Sequence, residues 1–77
     1  MTEIEFKLYQ KKLGDRIKRL RIAKDLSRSQ VAHVCGVEER LIADTENGKE
    51  DCYLDFLIVL TDCLEVGLSE LMGFELD

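Results

Sequence analysis

The sequence contains no proline, one histidine and few aromatics, two Tyr and three Phe. With no proline to interrupt a helix, and with much Leu, Ile, Lys and Glu, the composition favours an all-helical domain. A single histidine, no glycine-rich phosphate loop and too short a helical chain for a deep cavity argue against an enzyme. The three cysteines, Cys35, Cys52 and Cys63, cannot pair completely within one chain. Their spacings match no zinc pattern, and only His33 could add a nitrogen ligand. The expectation is reduced, partly buried thiols in a cytosolic protein, with no metal and no cofactor. No apolar run approaches the length of a membrane span, and the N-terminus lacks the pattern of a signal peptide. The chain is therefore expected to be soluble and cytoplasmic, with no membrane contact. At 77 residues it makes one domain, marginally stable alone and in need of a staple or a partner subunit.

Charge is unevenly placed. The net charge of −5 argues against nonspecific binding to nucleic acid. Yet all eleven Lys and Arg lie in residues 1–49 against eight acids, whereas residues 50–77 carry eight acids and no base. Such asymmetry suggests one anion-facing end.

The organising stretch is Ser27 to Lys49, two short helices joined by a tight turn at Gly36. Ahead of it, residues 2–24 read as one long helix or a short one running into a longer one. Phe6, Tyr9, Leu13, Ile17 and Leu20 recur at three- and four-residue steps and share a face. Gly14 is a soft point inside the pattern, marking a kink or an earlier helix start. The bases of this helix, including Arg16, Lys18 and Arg19, form either a solvated face or a phosphate-facing edge. Ser27 begins a capping box with Gln30. Val31, Ala32 and Cys35 face inward, and Gly36 can take positive φ without strain. Val37 anchors the turn, a role Val34 could share. The next helix covers about Glu38 to Glu46, with Leu41 or Ile42 and Thr45 inward, and Glu39, Arg40, Ala43 and Asp44 outward. Asn47-Gly48 ends it, with one of the two residues in left-handed conformation. Asp51 or Cys52 caps a fourth helix, with a core stripe of Leu54, Leu57, Ile58, Thr61 and Leu64. A second stripe, Phe56, Val59, Leu60 and Cys63, calls for a partner to cover it. Ser69 caps a last short helix with Leu71 and Met72 inward, ended by Gly73, and Phe74 and Leu76 lie in an apolar, acidic tail.

From Leu13 to Gly73 the chain resembles the helix-turn-helix DNA-binding domain of the phage-repressor and Xre-type regulators. The resemblance rests on LGDRIKRLR at Leu13–Arg21, SRSQVA at Ser27–Ala32, Gly36-Val37, Ile42 and Glu46-Asn47-Gly48-Lys49. Leu64-Glu65-Val66 and Leu68-Ser69-Glu70-Leu71 complete it. It implies an all-α, five-helix repressor-like domain (13–73) with an N-terminal helical extension (2–12) and a tail (74–77). The third helix would enter the major groove, and the second would aim its N-terminus at a phosphate. Carried over residue by residue, Arg28, Glu39, Arg40 and Asp44 would read base edges. Arg16, Lys18, Arg19, Ser29, Asn47 and Lys49 would contact phosphates, and Arg21 and Glu46 would form a structural ion pair. The chain departs from the family pattern at Arg28, usually glutamine, at Glu38, usually serine or threonine, and at Thr45, usually aliphatic. Asp51-Cys52 also replaces a proline-containing connection.

The implied function is a sequence-specific transcriptional regulator, a repressor, that binds double-stranded DNA at a palindromic operator as a homodimer. Phe56, Val59, Leu60, Cys63 and Phe74 would supply the dimer contact. The acidic third helix supports an alternative: an interaction module that keeps the fold without binding DNA and engages an additional protein partner.

Overall fold

The computed structural model describes residues 2–49 and 54–73. Among them are five helices and no strand: α1 (Glu3–Ala23), α2 (Arg28–Cys35), α3 (Glu39–Glu46), α4 (Leu54–Leu64) and α5 (Leu68–Leu71). The expected caps at Asp51 or Cys52, and the tail with Phe74, lie outside the described residues.

Helix α1 starts from a capping box. The Thr2 hydroxyl accepts from the Glu5 N–H, and the Glu5 carboxylate accepts from the Thr2 N–H. The helix then runs unbroken through Gly14, which is neither a kink nor a start. A Cβ on Gly14 would collide with the carbonyl oxygens of Thr45 and Glu46, the latter at 2.6 Å. Glycine is required there because the backbones of α1 and α3 touch. The chain turns after α1 through Asp25, a non-glycine residue at φ 59°.

The core is assembled from Leu13 and Ile17 of α1, Val31 and Ala32 of α2, Ile42 of α3, Leu57, Leu60 and Leu64 of α4, and Leu71 of α5. The α1 stripe packs from Tyr9 onward, while Phe6 stays largely in solvent with Ile4 and Leu8. Ile42, not Leu41, is the buried α3 residue; Thr45 joins it by donating its hydroxyl to the Leu41 carbonyl at 2.7 Å. Val34 is exposed, so Val37 alone anchors the turn, its N–H donating to the Ala32 carbonyl at 3.0 Å.

Helix α4 is rotated relative to the sequence expectation. Leu60 is 0% exposed, whereas Leu54 and Ile58 are 62% and 49% exposed. With apolar residues all round the helix, periodicity alone does not choose the inward face. The packing of α2 and α5 chooses it. Leu60 is thus a core residue and cannot serve as a dimer contact without unfolding the domain. At α5 the N-cap is Gly67, not Ser69, and the C-cap is Met72, not Gly73. Arg16 holds this short helix, its Nε and Nη2 donating to the Glu70 carbonyl at 3.0 and 2.9 Å.

Candidate nucleic-acid interface

Helices α2 and α3 are set by local signals. Ser27 Oγ accepts from the Gln30 N–H at 3.0 Å, and Gln30 Oε1 accepts from the Ser27 N–H at 2.7 Å. This reciprocal box fixes the start of α2. Gly36, at φ 71°, closes α2 in left-handed conformation and turns the chain into α3. Glu38 occupies the α3 N-cap without a side-chain bond, and Gly48, at φ 72°, turns the chain away at the far end.

One carboxylate ties the unit together. Glu46 Oε2 accepts from Arg21 Nε at 2.6 Å, and Glu46 Oε1 accepts from Arg21 Nη2 at 3.0 Å and from Arg28 Nε at 2.9 Å. Arg21 also donates Nη1 to the Leu26 carbonyl at 2.8 Å. The Glu46 side chain is 0% exposed, and the Arg21 side chain is 10% exposed. Burial pushes the Glu46 carboxyl up, but the hydrogen bonds from Arg21 and Arg28 outweigh it and hold the group below its usual value. The same bond raises the Arg21 guanidinium against the opposing effect of burial. The carboxylate therefore joins the C-terminal half of α1, the start of α2 and the end of α3.

The third bond changes the reading of Arg28. Its Nε is turned inward to Glu46, and its side chain is 32% exposed. Among the described residues no other partner of Arg28 is seen, so Nη1 and Nη2 remain available. A guanidinium held by one edge presents the other in a defined direction.

The remaining site residues divide by location. Glu39 and Arg40 are exposed on α3, with Asp44 half-buried beside them. Arg40 Nε lies 3.6 Å from Asp44 Oδ2, a loose pair across one helical turn. A shallow groove of about 220 Å³ is lined by Glu38, Arg40, Leu41 and Asp44. Ser29, Lys18, Asn47 and Lys49 are exposed. Arg19 is exposed and paired with Asp15 at 2.9 Å. Arg16 is half-buried against α5, with its Nε and Nη2 donating to the Glu70 carbonyl.

Two lysines outside the expected set complete the basic surface. Lys11, Lys12, Lys18 and Asn47 line a recess of about 430 Å³ together with Leu8, Asp15 and Glu46. A Cβ on Gly48 would stand 3.0 Å from the Lys11 Cα, so the end of α3 rests directly on α1. The Asn47-Gly48 turn signal was readable in the sequence, but nothing local says which part of α1 it meets.

On α4, Val59 is 39% exposed, and Leu54 and Ile58 are exposed as well. Phe56 is half-buried against the core, and the Cys63 sulfur faces Cys35 of the same chain at 2.7 Å. Cys63, like Leu60, is therefore turned to its own domain, and the free apolar face of α4 is Leu54, Ile58 and Val59.

No described helix is long and apolar enough to cross a membrane. Among the described residues no group of three or more His, Cys, Asp or Glu could hold a metal ion.

The fold has counterparts. The restriction-modification controller protein C.AhdI from Aeromonas hydrophila is similar over 80% of this chain and 94% of its own, with 29% identity and a TM-score of 0.78. An HTH_3 family transcriptional regulator from Vibrio cholerae has the same fold, with 20% identity and a TM-score of 0.83. That match covers 88% of this chain but 38% of the other. No curated protein matches the sequence. A family model described as a helix-turn-helix domain matches residues 12–71. The matched region begins inside α1 and ends at the last residue of α5, spanning the capped α2, the Gly36 turn and α3, and this chain belongs to the helix-turn-helix domain family.

Proposed function

We propose that the protein is a sequence-specific DNA-binding transcriptional regulator, acting as a repressor, that binds a palindromic operator as a homodimer in the cytoplasm. The observation that carries this reading is the position of Arg28. It opens α2, is held at Nε by a buried carboxylate, and has both terminal nitrogens available toward an anion. The N–H groups of Arg28 and Ser29, in the first turn of α2, favour a phosphate.

In this reading α3 lies in the major groove. Arg40 donates to the O6 and N7 acceptors of guanine, and Glu39 and Asp44 accept from cytosine N4 or restrain Arg40. Arg28 reaches a phosphate or the adjacent base edge. Lys18, Arg19, Ser29, Asn47 and Lys49 follow the backbone, with Lys11 and Lys12 extending that track. Val59, with Phe56 and the exposed Leu54 and Ile58, gives the α4 surface through which two copies pair. The similarity to a restriction-modification controller makes control of such genes the first role to examine.

A second reading, an interaction module that keeps the fold, is favoured by one observation. Asp44 sits near enough to Arg40 to neutralise part of its charge. Titration of binding to duplex DNA against salt separates the two. The regulator shows specific binding that falls steeply as salt rises. Arg40→Ala relaxes the preference at one base pair by about 1–3 kcal/mol, while Lys49→Ala weakens all duplexes alike and lowers the salt slope by about 1. Absence of duplex binding at low salt would leave only the interaction module.

A further inference from the structure

Two thiols meet where α2 ends and α4 nears its end. Cys35 is the last residue of α2, and Cys63 is the penultimate residue of α4. Their sulfurs stand 2.7 Å apart, in hydrogen-bond contact. Both cysteines are free and half-buried. The helices that carry them pack through Val31, Ala32, Leu60 and Leu64, all in the core, so the meeting is imposed by the fold. A disulfide holds its sulfurs at about 2.05 Å, so bonding asks for well under ~1 Å of closure.

We propose that Cys35 and Cys63 are an oxidation site at which a peroxide forms a reversible intrachain disulfide, closing a covalent ring around α3 and the segment joining it to α4. The site stands independently of any DNA binding. Either thiol can donate across this contact, and Cys63 is assigned as the sulfur that attacks first. Burial and the hydrogen bond to Cys63 push the Cys35 thiol up to about 12, which suits the partner that keeps its proton until the second step.

The chemistry balances with a peroxide as oxidant. The Cys63 thiolate attacks one oxygen of hydrogen peroxide. The O–O bond breaks, an S–O bond forms, and hydroxide leaves, giving a sulfenic acid. The Cys35 sulfur then attacks the Cys63 sulfur. The S–S bond forms, the S–O bond breaks, and water leaves with the Cys35 proton. Two electrons pass from the pair of sulfurs to the peroxide, and a dithiol reductant reverses the change.

The consequence follows from chain topology. The bridge spans 28 positions. Closing a loop of that size in the unfolded chain raises the folding constant by roughly a hundredfold or more. The recognition helix lies wholly inside the ring, so oxidation clamps both of its flanks.

The test uses the full chain under native conditions. It is treated with one equivalent of hydrogen peroxide, blocked with a maleimide, digested without reductant and mapped by mass spectrometry. The expected product is a Cys35–Cys63 linked peptide, with Cys52 alkylated, and the melting temperature rises by ~10 °C or more. Dithiothreitol returns both to their starting values. Cys52→Ser retains the linked peptide and the shift, whereas Cys35→Ser and Cys63→Ser each lose them. A bridge to Cys52, a bridge between chains, or Cys63 sulfinate with Cys35 still alkylated would overturn the site. A linked peptide with an unchanged melting temperature would overturn the ring. Should either serine variant fail to fold, the Cys52→Ser protein decides through its peptide map alone.

Discussion

Glu46→Ala is the substitution whose cost the structure defines most closely. It removes a carboxylate that is 0% exposed and accepts from Arg21 twice and from Arg28 once. The largest loss is not the pair's own attraction, which is offset by the cost of taking both charges out of water. It is the Arg21 guanidinium, 10% exposed, left without its counter-charge. Breaking a buried pair from one side costs about 3–5 kcal/mol. A domain of this size has only about 4–12 kcal/mol in total, so the variant should melt on the order of 20 °C lower or populate the unfolded state at ambient temperature. Glu46→Gln keeps the shape and one acceptor, and should fall between. The pH dependence carries the same signature. Because the folded Glu46 carboxyl lies below its unfolded value, near ~4.3, its stabilisation is complete above that value and is lost as pH falls through the folded pKa. The Glu46→Gln protein should therefore show a shallower acid limb than the parent. Urea melts from neutral to acid pH read both effects. A loss under ~1 kcal/mol for Glu46→Ala, or identical acid limbs, would refute a buried carboxylate serving two arginines.

The other expected outcomes concern packing, assembly and binding. Gly14→Ala places a methyl against the Thr45 and Glu46 carbonyls and should cost about 1–3 kcal/mol or more, measured by thermal melting. A neutral result would mean that α1 and α3 stand further apart. Arg16→Ala should lower stability by about 1 kcal/mol through the lost bonds to the Glu70 carbonyl, yet leave the salt slope of DNA binding unchanged. A slope reduced by about 1 would return Arg16 to the phosphate contacts. The proposed homodimer should sediment as a dimer, and Ile58→Glu with Val59→Glu should make it a monomer without unfolding the domain, since both side chains are exposed. An unchanged dimer moves the interface elsewhere.

Much of the fold was legible because its signals are local. Ser27 with Gln30, Gly36 and Gly48 each act within one turn of helix, and these boundaries stand in the structure within a residue or two. The buried pairing of Arg21 with Glu46 followed from the family resemblance, and the structure contains it. What was not legible depends on which surfaces meet. Gly14 reads as a weak point in a helix until α3 is laid across it. Arg28 reads as a free base until Glu46, 18 positions away, takes its Nε. Arg16 and Cys63 likewise belong to contacts set by the return of α5 and α4. In α4 nearly every side is apolar, so the sequence leaves the helix rotation open and the core decides that Leu60 goes in and Ile58 stays out.

The most direct measurement is selection of bound sequences from a random duplex pool at moderate salt, followed by footprinting of the winners. A dimeric regulator should enrich an inverted repeat whose half-sites lie about one helical turn, ~10–10.5 base pairs, centre to centre, with a guanine at the position Arg40 reads. A pool that emerges unenriched, from a protein shown to be folded, would contradict DNA recognition by α3.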